Sequence, residues 1–297
     1  GIRLRELELN YNDAGRHLSP FVVKVLQNND HCQILSMKGN QFESNDDFDQ
    51  KNNDLLWDSI GNHPSLRTLK MESCFNTSPS TLGGAIPKFR NLTHMELMEN
   101  GISGEGVTYI ANFLATNPCL LHLQLSHNRI NDNDASIIAD ALASNNTLRL
   151  LEIEWGCNMT LIGAKILRKA VYGDEASLNS IAGSNHTCQI RTDWGHTNCN
   201  GFRDTPKMNR RWKLYGTLNY HHTQFSNVLE LMENELPDAE TNFAEKLMPI
   251  VLESVQLYAD LSGKDSLTSC FVEPLSIMYD ITRGWRMLLL YQNQQQK

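Results

Sequence analysis

The chain has 297 residues, of which 40% are hydrophobic and 20% are charged, which is typical of globular proteins with one or two cores. Its formal net charge of −8 argues against nucleic-acid binding, for which a basic stripe is expected. No apolar run approaches the roughly 18 residues of a membrane-spanning helix, so no membrane insertion is expected.

The cysteines and the first residues bear on the compartment. Seven cysteines are an odd number in a chain too long to need disulfides, and most of them lie within apolar patterns. We therefore expect reduced, buried thiols in an intracellular and cytoplasmic protein. The chain enters a patterned segment within its first four residues, which favours a start cut from a longer protein.

One pattern, L-x-x-L-x-L-x-x-N, restarts along the first two thirds of the chain. It is clearest at Leu120, Leu123, Leu125 and Asn128. Copies begin at residues 4, 32, 66, 92, 120, 148 and 178, so the spacings run from 26 to 34 residues. The copy at Leu178 is weak, because Gly183 stands where an apolar residue belongs. Such regularity indicates a repeat protein.

The residues within each copy predict a strand followed by a helix. Alternating apolar residues direct one face of a short strand inward, and the Asn amide can pair with backbone groups that would otherwise be buried alone. A helical stripe follows, formed in one copy by Ala135, Ile138, Ala139 and Leu142. A single unit cannot bury these faces, so the units must stack.

This pattern resembles the leucine-rich repeat family in its ribonuclease-inhibitor-like subclass, and it is similar to leucine-rich repeat proteins of microalgae, notably diatom-type sequences. The resemblance covers residues 2–203. It implies an α/β solenoid, or horseshoe, with parallel strands on the concave face and helices on the convex face. Two departures are expected: a protruding loop at Glu43–Asn52, and a short or absent helix between Pro79 and Pro87.

We predict two parts: a solenoid of about seven repeats over residues 1–203, and a helical C-terminal cap or interaction module over residues 204–297. A turn and helix are expected from Arg203 to Asn219, and the basic residues Arg210, Arg211 and Lys213 are interpreted as a solvated helix face. Further helices are expected at Leu229–Glu235, Ala244–Ala259 and Leu275–Tyr291.

No residue pattern indicates catalysis, a cofactor or a metal. His196, Cys199 and the adjacent His221 and His222 lack zinc-ligand spacing. The segment "NDNDA" at 131–135 lacks the glycine and distant glutamate of a calcium loop, and is interpreted as a helix cap. Cys188 is interpreted as a buried thiol.

The predicted concave face is the remaining candidate site. The strand residues that point out of the core include an excess of glutamate, with Trp155 beside them, which favours a basic protein or peptide partner. The predicted partner-binding residues are Glu72, Glu96, Met98, His122, Gln124, Glu152, Glu154 and Trp155.

Three functions remain open from the sequence. The first is a non-catalytic protein-interaction scaffold. The second is a regulator of an enzyme, such as a GTPase-activating protein, and the third is the ligand-sensing region of a larger receptor. The oligomeric state is left open.

Overall fold

The computed structural model describes residues 3–12, 17–42, 47–75, 79–175, 177–196, 205–225, 251–253 and 255–256. Strands and helices alternate along most of this length. The strands are β1 Glu6–Glu8, β2 Ile34–Ser36, β3 Thr68–Lys70, β4 His94–Glu96, β5 His122–Gln124, β6 Leu150–Ile153, β7 Gln189–Thr192 and β8 Gly195–His196. The helices are α1 Leu18–Gln27, α2 Asp47–Asn62, α3 Pro79–Ala85, α4 Glu105–Ala115, α5 Asp132–Ser144, α6 Leu161–Tyr172, α7 Leu178–Gly183 and α8 Pro206–Phe225.

The strands form one open sheet in sequence order. Strands β1 to β7 are parallel, and β8 runs antiparallel to β7. The register is regular, since Leu7, Leu35, Leu69, Met95, Leu123, Leu151 and Ile190 pair in one continuous row. This confirms the α/β repeat solenoid that the sequence predicts.

The core lies between the sheet and the helices. The predicted stripe of α5 is buried, and α4 buries Val107, Ile110 and Leu114 in the same way. Trp57 of α2 fills a wider part of the core, where its ring lies 5.3 Å from that of Phe42 and 6.1 Å from that of Phe89.

The predicted asparagine position is confirmed as a chain of buried hydrogen bonds, which we call the asparagine ladder. Asn128 donates to the carbonyls of Leu97 and Leu125 and accepts from the backbone N–H of Asn100. Asn100 in turn accepts from the backbone N–H of Cys74. The amide therefore satisfies backbone groups of its own repeat and of the previous one.

A second set of bonds, at the helix ends, was not predicted. Asn29, His63 and Asn145 each come three residues before a repeat begins, and each bonds with a backbone carbonyl 25–34 residues earlier in the chain, at 2.7–2.9 Å. The repeat frame carries this signal, because two of these positions hold Asn and the third holds His, all of which can donate.

The predicted seventh copy at Leu178 is wrong. Residues Leu178–Gly183 form helix α7, whose N-cap Ser177 accepts a hydrogen bond from the N–H of Ser180. Leu178, Ile181 and Ala182 are buried at helical spacing. The strand that continues the sheet comes later, at Gln189–Thr192, because two helices separate β6 from β7.

The two expected departures have opposite outcomes. The protruding loop predicted at Glu43–Asn52 is wrong from Asp47 onward, because α2 begins there, and residues 43–46 lie outside the described residues. The short helix between Pro79 and Pro87 is confirmed, since α3 has 7 residues and a single 3₁₀ turn, Ile86–Lys88, follows it. The predicted cap at "NDNDA" is also confirmed: Asn131 and Asp134 form a reciprocal capping box at the start of α5.

The described residues fall into two compact units, within 1–171 and 187–198, and within 172–186 and 199–297. In the second unit the predicted helix after residue 203 is confirmed as α8. The interpretation of Lys213 as solvated is wrong, because it is 2% exposed and its ammonium donates to the carbonyl of Asn185 at 2.7 Å. The helices predicted at Leu229–Glu235 and Leu275–Tyr291 lie outside the described residues, as does most of Ala244–Ala259.

Candidate functional site

The strand residues that point away from the helices form a continuous surface in the first unit, which we call the open sheet face. It corresponds to the predicted concave face. Pairing aligns these residues in rows across the strands, because the register shifts by no residue between neighbours. The central row is Glu8, Ser36, Lys70, Glu96, Gln124, Glu152 and Arg191. Side chains in one row lie within reach of each other.

An ion-pair cluster occupies the face of β3 and β4. The ammonium of Lys38 lies 2.9 Å from the carboxylate of Glu72 and 3.2 Å from that of Glu96, and Lys70 lies 3.6 Å from Glu96. Burial lowers the pKa of Lys38, but its hydrogen bonds to Glu72 and Glu96 outweigh burial, so the pKa of Lys38 is raised. Lys38 therefore remains charged at neutral pH.

A second cluster surrounds Glu152, which is 8% exposed. One carboxylate oxygen accepts from His122 Nε2 at 2.6 Å and from Gln124 at 3.0 Å. The other accepts from Arg191 at 2.8 Å. A buried carboxylate needs such partners, because an uncompensated charge in the interior is costly. Glu152 therefore organises the polar side chains of three strands.

His94 stands between the two clusters. Its ring meets that of His122 edge to face, with centroids 5.8 Å apart. Burial, followed by the nearby charge of His122, lowers the pKa of His94, although Glu96 acts in the opposite direction. His94 is accordingly a neutral donor or acceptor at neutral pH.

The open sheet face is bordered by a row of residues with left-handed backbone, which we call the turn row. Each lies seven residues after a repeat begins: Tyr11, Gly39, Ser73, Glu99, His127 and Trp155, with φ between 53° and 68°. Only one is glycine, although left-handed backbone disfavours other residues. Trp155 is 66% exposed at the end of this row.

All eight predicted partner-binding residues belong to the first unit, and the structure places every one of them on strands β4 to β6 or within two residues after β3, β4 or β6. Glu72 and Glu96 both pair with Lys38, and His122 and Gln124 both bond with the carboxylate of Glu152. Met98 is half-buried and follows β4. Glu154 and Trp155 follow β6, and the N–H of Glu154 donates to the hydroxyl of Ser126.

More cations lie on the open sheet face than the sequence pattern indicated. Arg191 was missed because the last strand was placed at the wrong copy of the repeat. Lys38 and Lys70 point outward as predicted, but their spacing alone did not reveal that they bind Glu72 and Glu96. Six carboxylates and three cations occupy the outward positions, namely Glu6, Glu8, Glu72, Glu96, Glu152 and Glu154 with Lys38, Lys70 and Arg191.

In the described part of the chain, no three His, Cys, Asp or Glu side chains converge in a way that would hold a metal ion. None of the helices in those ranges combines the length and the apolar character needed to cross a bilayer. Cys188 is buried, as predicted.

Comparison with known families supports the fold. Residues 90–111 and 116–139 match a family model described as leucine rich repeat. The two matches cover β4 with most of α4 and β5 with most of α5, so each coincides with one strand-and-helix unit of the sheet. No curated protein matches the chain. The architecture is an α/β leucine-rich repeat solenoid.

Proposed function

We propose, from its leucine-rich repeat fold, that this chain is a non-catalytic scaffold that binds a protein or peptide on the open sheet face. Leucine-rich repeats generally mediate protein–protein interaction, although a fold alone never names a ligand. The observation that carries the proposal is the interlocked set of charged side chains on that face.

The side chains of the open sheet face are preorganised. Ion pairs and hydrogen bonds hold the side chains of Glu72, Glu96 and Glu152 in place before a partner arrives. A surface that is already ordered loses little side-chain entropy on binding, so more of the contact energy appears as affinity. Six carboxylates against three cations favour a partner with a basic surface, which charge would also guide during encounter.

Two further features complete the proposal. A period near 28 residues, with helices of 10 to 16 residues in five of the units, favours the ribonuclease-inhibitor-like subclass. The buried thiols of Cys32, Cys74 and Cys188 favour a reducing compartment such as the cytoplasm.

The test uses two variants of the same repeat. Each adds one positive charge, one on the open sheet face and the other on the helix side. Met98→Lys changes the open sheet face beside Glu96, whereas Asn112→Lys changes an exposed position on helix α4. Both variants would be used with the wild type to capture binding proteins from an extract of the native cells, at low and high salt. We expect a partner that Met98→Lys loses and Asn112→Lys retains, with weaker capture at high salt.

Fold integrity is checked by far-UV circular dichroism and by the midpoint of urea unfolding. A partner captured equally by both folded variants would contradict the use of the open sheet face. Glu152→Lys is avoided here, because Glu152 is buried and its reversal would disturb the fold as well as binding.

A further inference from the structure

Four large apolar side chains are exposed beside the end of β6, outside the rows of the open sheet face. Trp155 is 66% exposed, Ile162 is 64% exposed, and Trp194 is 56% exposed. Leu161 is also exposed. We call these four residues the tryptophan patch. All four belong to the first compact unit.

Hydrogen bonds hold the two tryptophans against each other's segments. Trp194 lies in the turn between β7 and β8, and its indole N–H donates to the carbonyl of Met159 at 3.3 Å. The backbone N–H of Trp155 donates to the carboxylate of Asp193 at 2.7 Å. The turn and the loop after β6 are thereby joined at two points, which hold the indole of Trp194 and the backbone of Trp155 in place.

The first turn of α6 brings the aliphatic half of the patch to the same loop. Leu161 and Ile162 come directly after Thr160, whose N–H and hydroxyl both donate to Asp132, at 2.8 and 2.7 Å. The hydrogen bonds from Thr160, and the N–H of Gly163, lower the pKa of Asp132, so this carboxylate remains charged. The start of α6 is anchored to the previous repeat.

These side chains contribute little to the core. Trp155 adopts φ 55°, a region that is unfavourable for a bulky residue, and most of its surface faces solvent. The second repeat has Gly39 at the same position. Exposed apolar residues that are grouped and held in place mark interaction surfaces, and tryptophan is enriched among residues that dominate binding energy.

The charges around the patch define the partner's chemistry. Residues 150–165 and 189–194 contain three carboxylates, Glu152, Glu154 and Asp193, against the two cations Arg191 and Lys165. Arg191 already binds Glu152. An incoming arginine or lysine would meet a negative surrounding and the open faces of two indoles, which attract cations.

We propose that the tryptophan patch docks a segment of a partner protein in which an apolar side chain is neighboured by an arginine or lysine. The apolar side chain packs on Ile162 and Leu161, and the cation lies over the indole of Trp155 or Trp194. The inference rests on the proposed function for the presence of a protein partner, and it extends the contact beyond the open sheet face.

The test uses a random dodecapeptide library displayed on phage, selected on the intact chain. We expect enriched peptides that combine an aliphatic or aromatic residue with a nearby arginine or lysine. A representative peptide should bind at least about tenfold more weakly to Trp194→Ala, and also to Trp155→Gly, which copies the glycine of the second repeat. Isothermal titration calorimetry measures each affinity.

Phe21→Ala is the matched control, because Phe21 is an exposed aromatic residue on α1, far along the chain from the patch. It should leave the peptide's affinity unchanged. No enrichment, enrichment of acidic peptides, or equal binding by the wild type and both tryptophan variants would overturn the inference.

The outcomes separate this inference from the proposed function. If Met98→Lys abolishes partner capture but the tryptophan variants bind peptides like the wild type, the open sheet face is supported and the tryptophan patch is rejected. If the tryptophan variants lose peptide binding while Met98→Lys has no effect on capture, the patch stands and the open sheet face is rejected.

Discussion

Glu152 and Arg191 are 39 residues apart in sequence, yet their side chains are joined by a hydrogen-bonded ion pair of 2.8 Å between Oε1 and Nη1. The pair spans the irregular segment between β6 and β7, which contains α6 and α7. It therefore links the six regular strands to the strand that follows the insertion.

The first prediction concerns this pair. Glu152→Gln keeps the shape of the side chain but removes its charge, so it should lower the free energy of unfolding by about 1–3 kcal/mol. A double-mutant cycle with Arg191→Met, measured by urea unfolding, should give a coupling energy of roughly 1 kcal/mol, because Arg191 is partly exposed to solvent. Additive losses would show that the pair contributes no stability.

The second prediction concerns the asparagine ladder. Asn128→Ala removes three donated and two accepted hydrogen bonds in the core, so several backbone groups lose their partner. We expect a loss of about 2–4 kcal/mol in the free energy of unfolding. Asn112→Ala, at an exposed position of α4, should change it by less than about 0.5 kcal/mol. Equal effects in chemical denaturation would contradict the role of the ladder.

The third prediction compares two helical glycines. A Cβ at Gly61 would stand 2.3 Å from the backbone carbonyl oxygen of Lys88, whereas a Cβ at Gly84 would meet nothing within 4 Å. Gly61→Ala should destabilise the protein by roughly 2–3 kcal/mol, because backbone must move. Gly84→Ala should stabilise it by up to about 1 kcal/mol, because alanine favours helix. In thermal unfolding, the two variants should shift the melting temperature in opposite directions, and shifts of the same sign would contradict this packing.

The fourth prediction concerns His186 in the second unit. Burial, together with the nearby charges of Lys213 and Arg210, lowers its pKa to about 4, although its hydrogen bond to Ala182 acts in the opposite direction. The ammonium of Lys213 lies 3.3 Å from Nδ1, and Nε2 bonds with the carbonyl of Ala182 at 3.0 Å. Both contacts suit a neutral ring with its proton on Nε2.

The sign of the pH effect follows from this lowered pKa. As pH falls from about 6.5 to about 4, the unfolded chain binds a proton at His186 that the folded chain does not bind, so the free energy of unfolding falls by about 3 kcal/mol. His186→Gln should remove this part of the acid sensitivity in urea unfolding. Titration of the ring by NMR checks the cause directly, and a midpoint near 6.5 would contradict it.

The regular part of the fold could be predicted because local signals repeat. The positions of Leu123 and Asn128 recur every 26–34 residues in the other copies, so six strands and the asparagine ladder could be placed from sequence alone. The strand Gln189–Thr192 could not be placed, because α7 has apolar residues that imitate a repeat and shift the frame.

The candidate site could be predicted only in outline. Alternation along a strand shows which residues face outward, so Glu96, Gln124 and Glu152 were correctly assigned to one face. It does not show which side chains meet, because that depends on the stagger between strands and on the reach of each side chain. The burial of Lys213 was also hidden, since helical periodicity does not reveal which neighbouring segment covers a face.

The asparagine ladder gives the solenoid a direction. Asn128 completes the turn of the repeat that contains Asn100, and Asn100 completes the turn of the repeat that contains Cys74. Every such unit depends for its own buried backbone on a side chain supplied by its successor. Loss of a later unit would thus leave unpaired backbone groups in the unit before it. Loss of an earlier unit would leave the asparagine of the next unit with fewer hydrogen-bond partners. The repeats should consequently fray in order from the C-terminal side of the sheet toward β1.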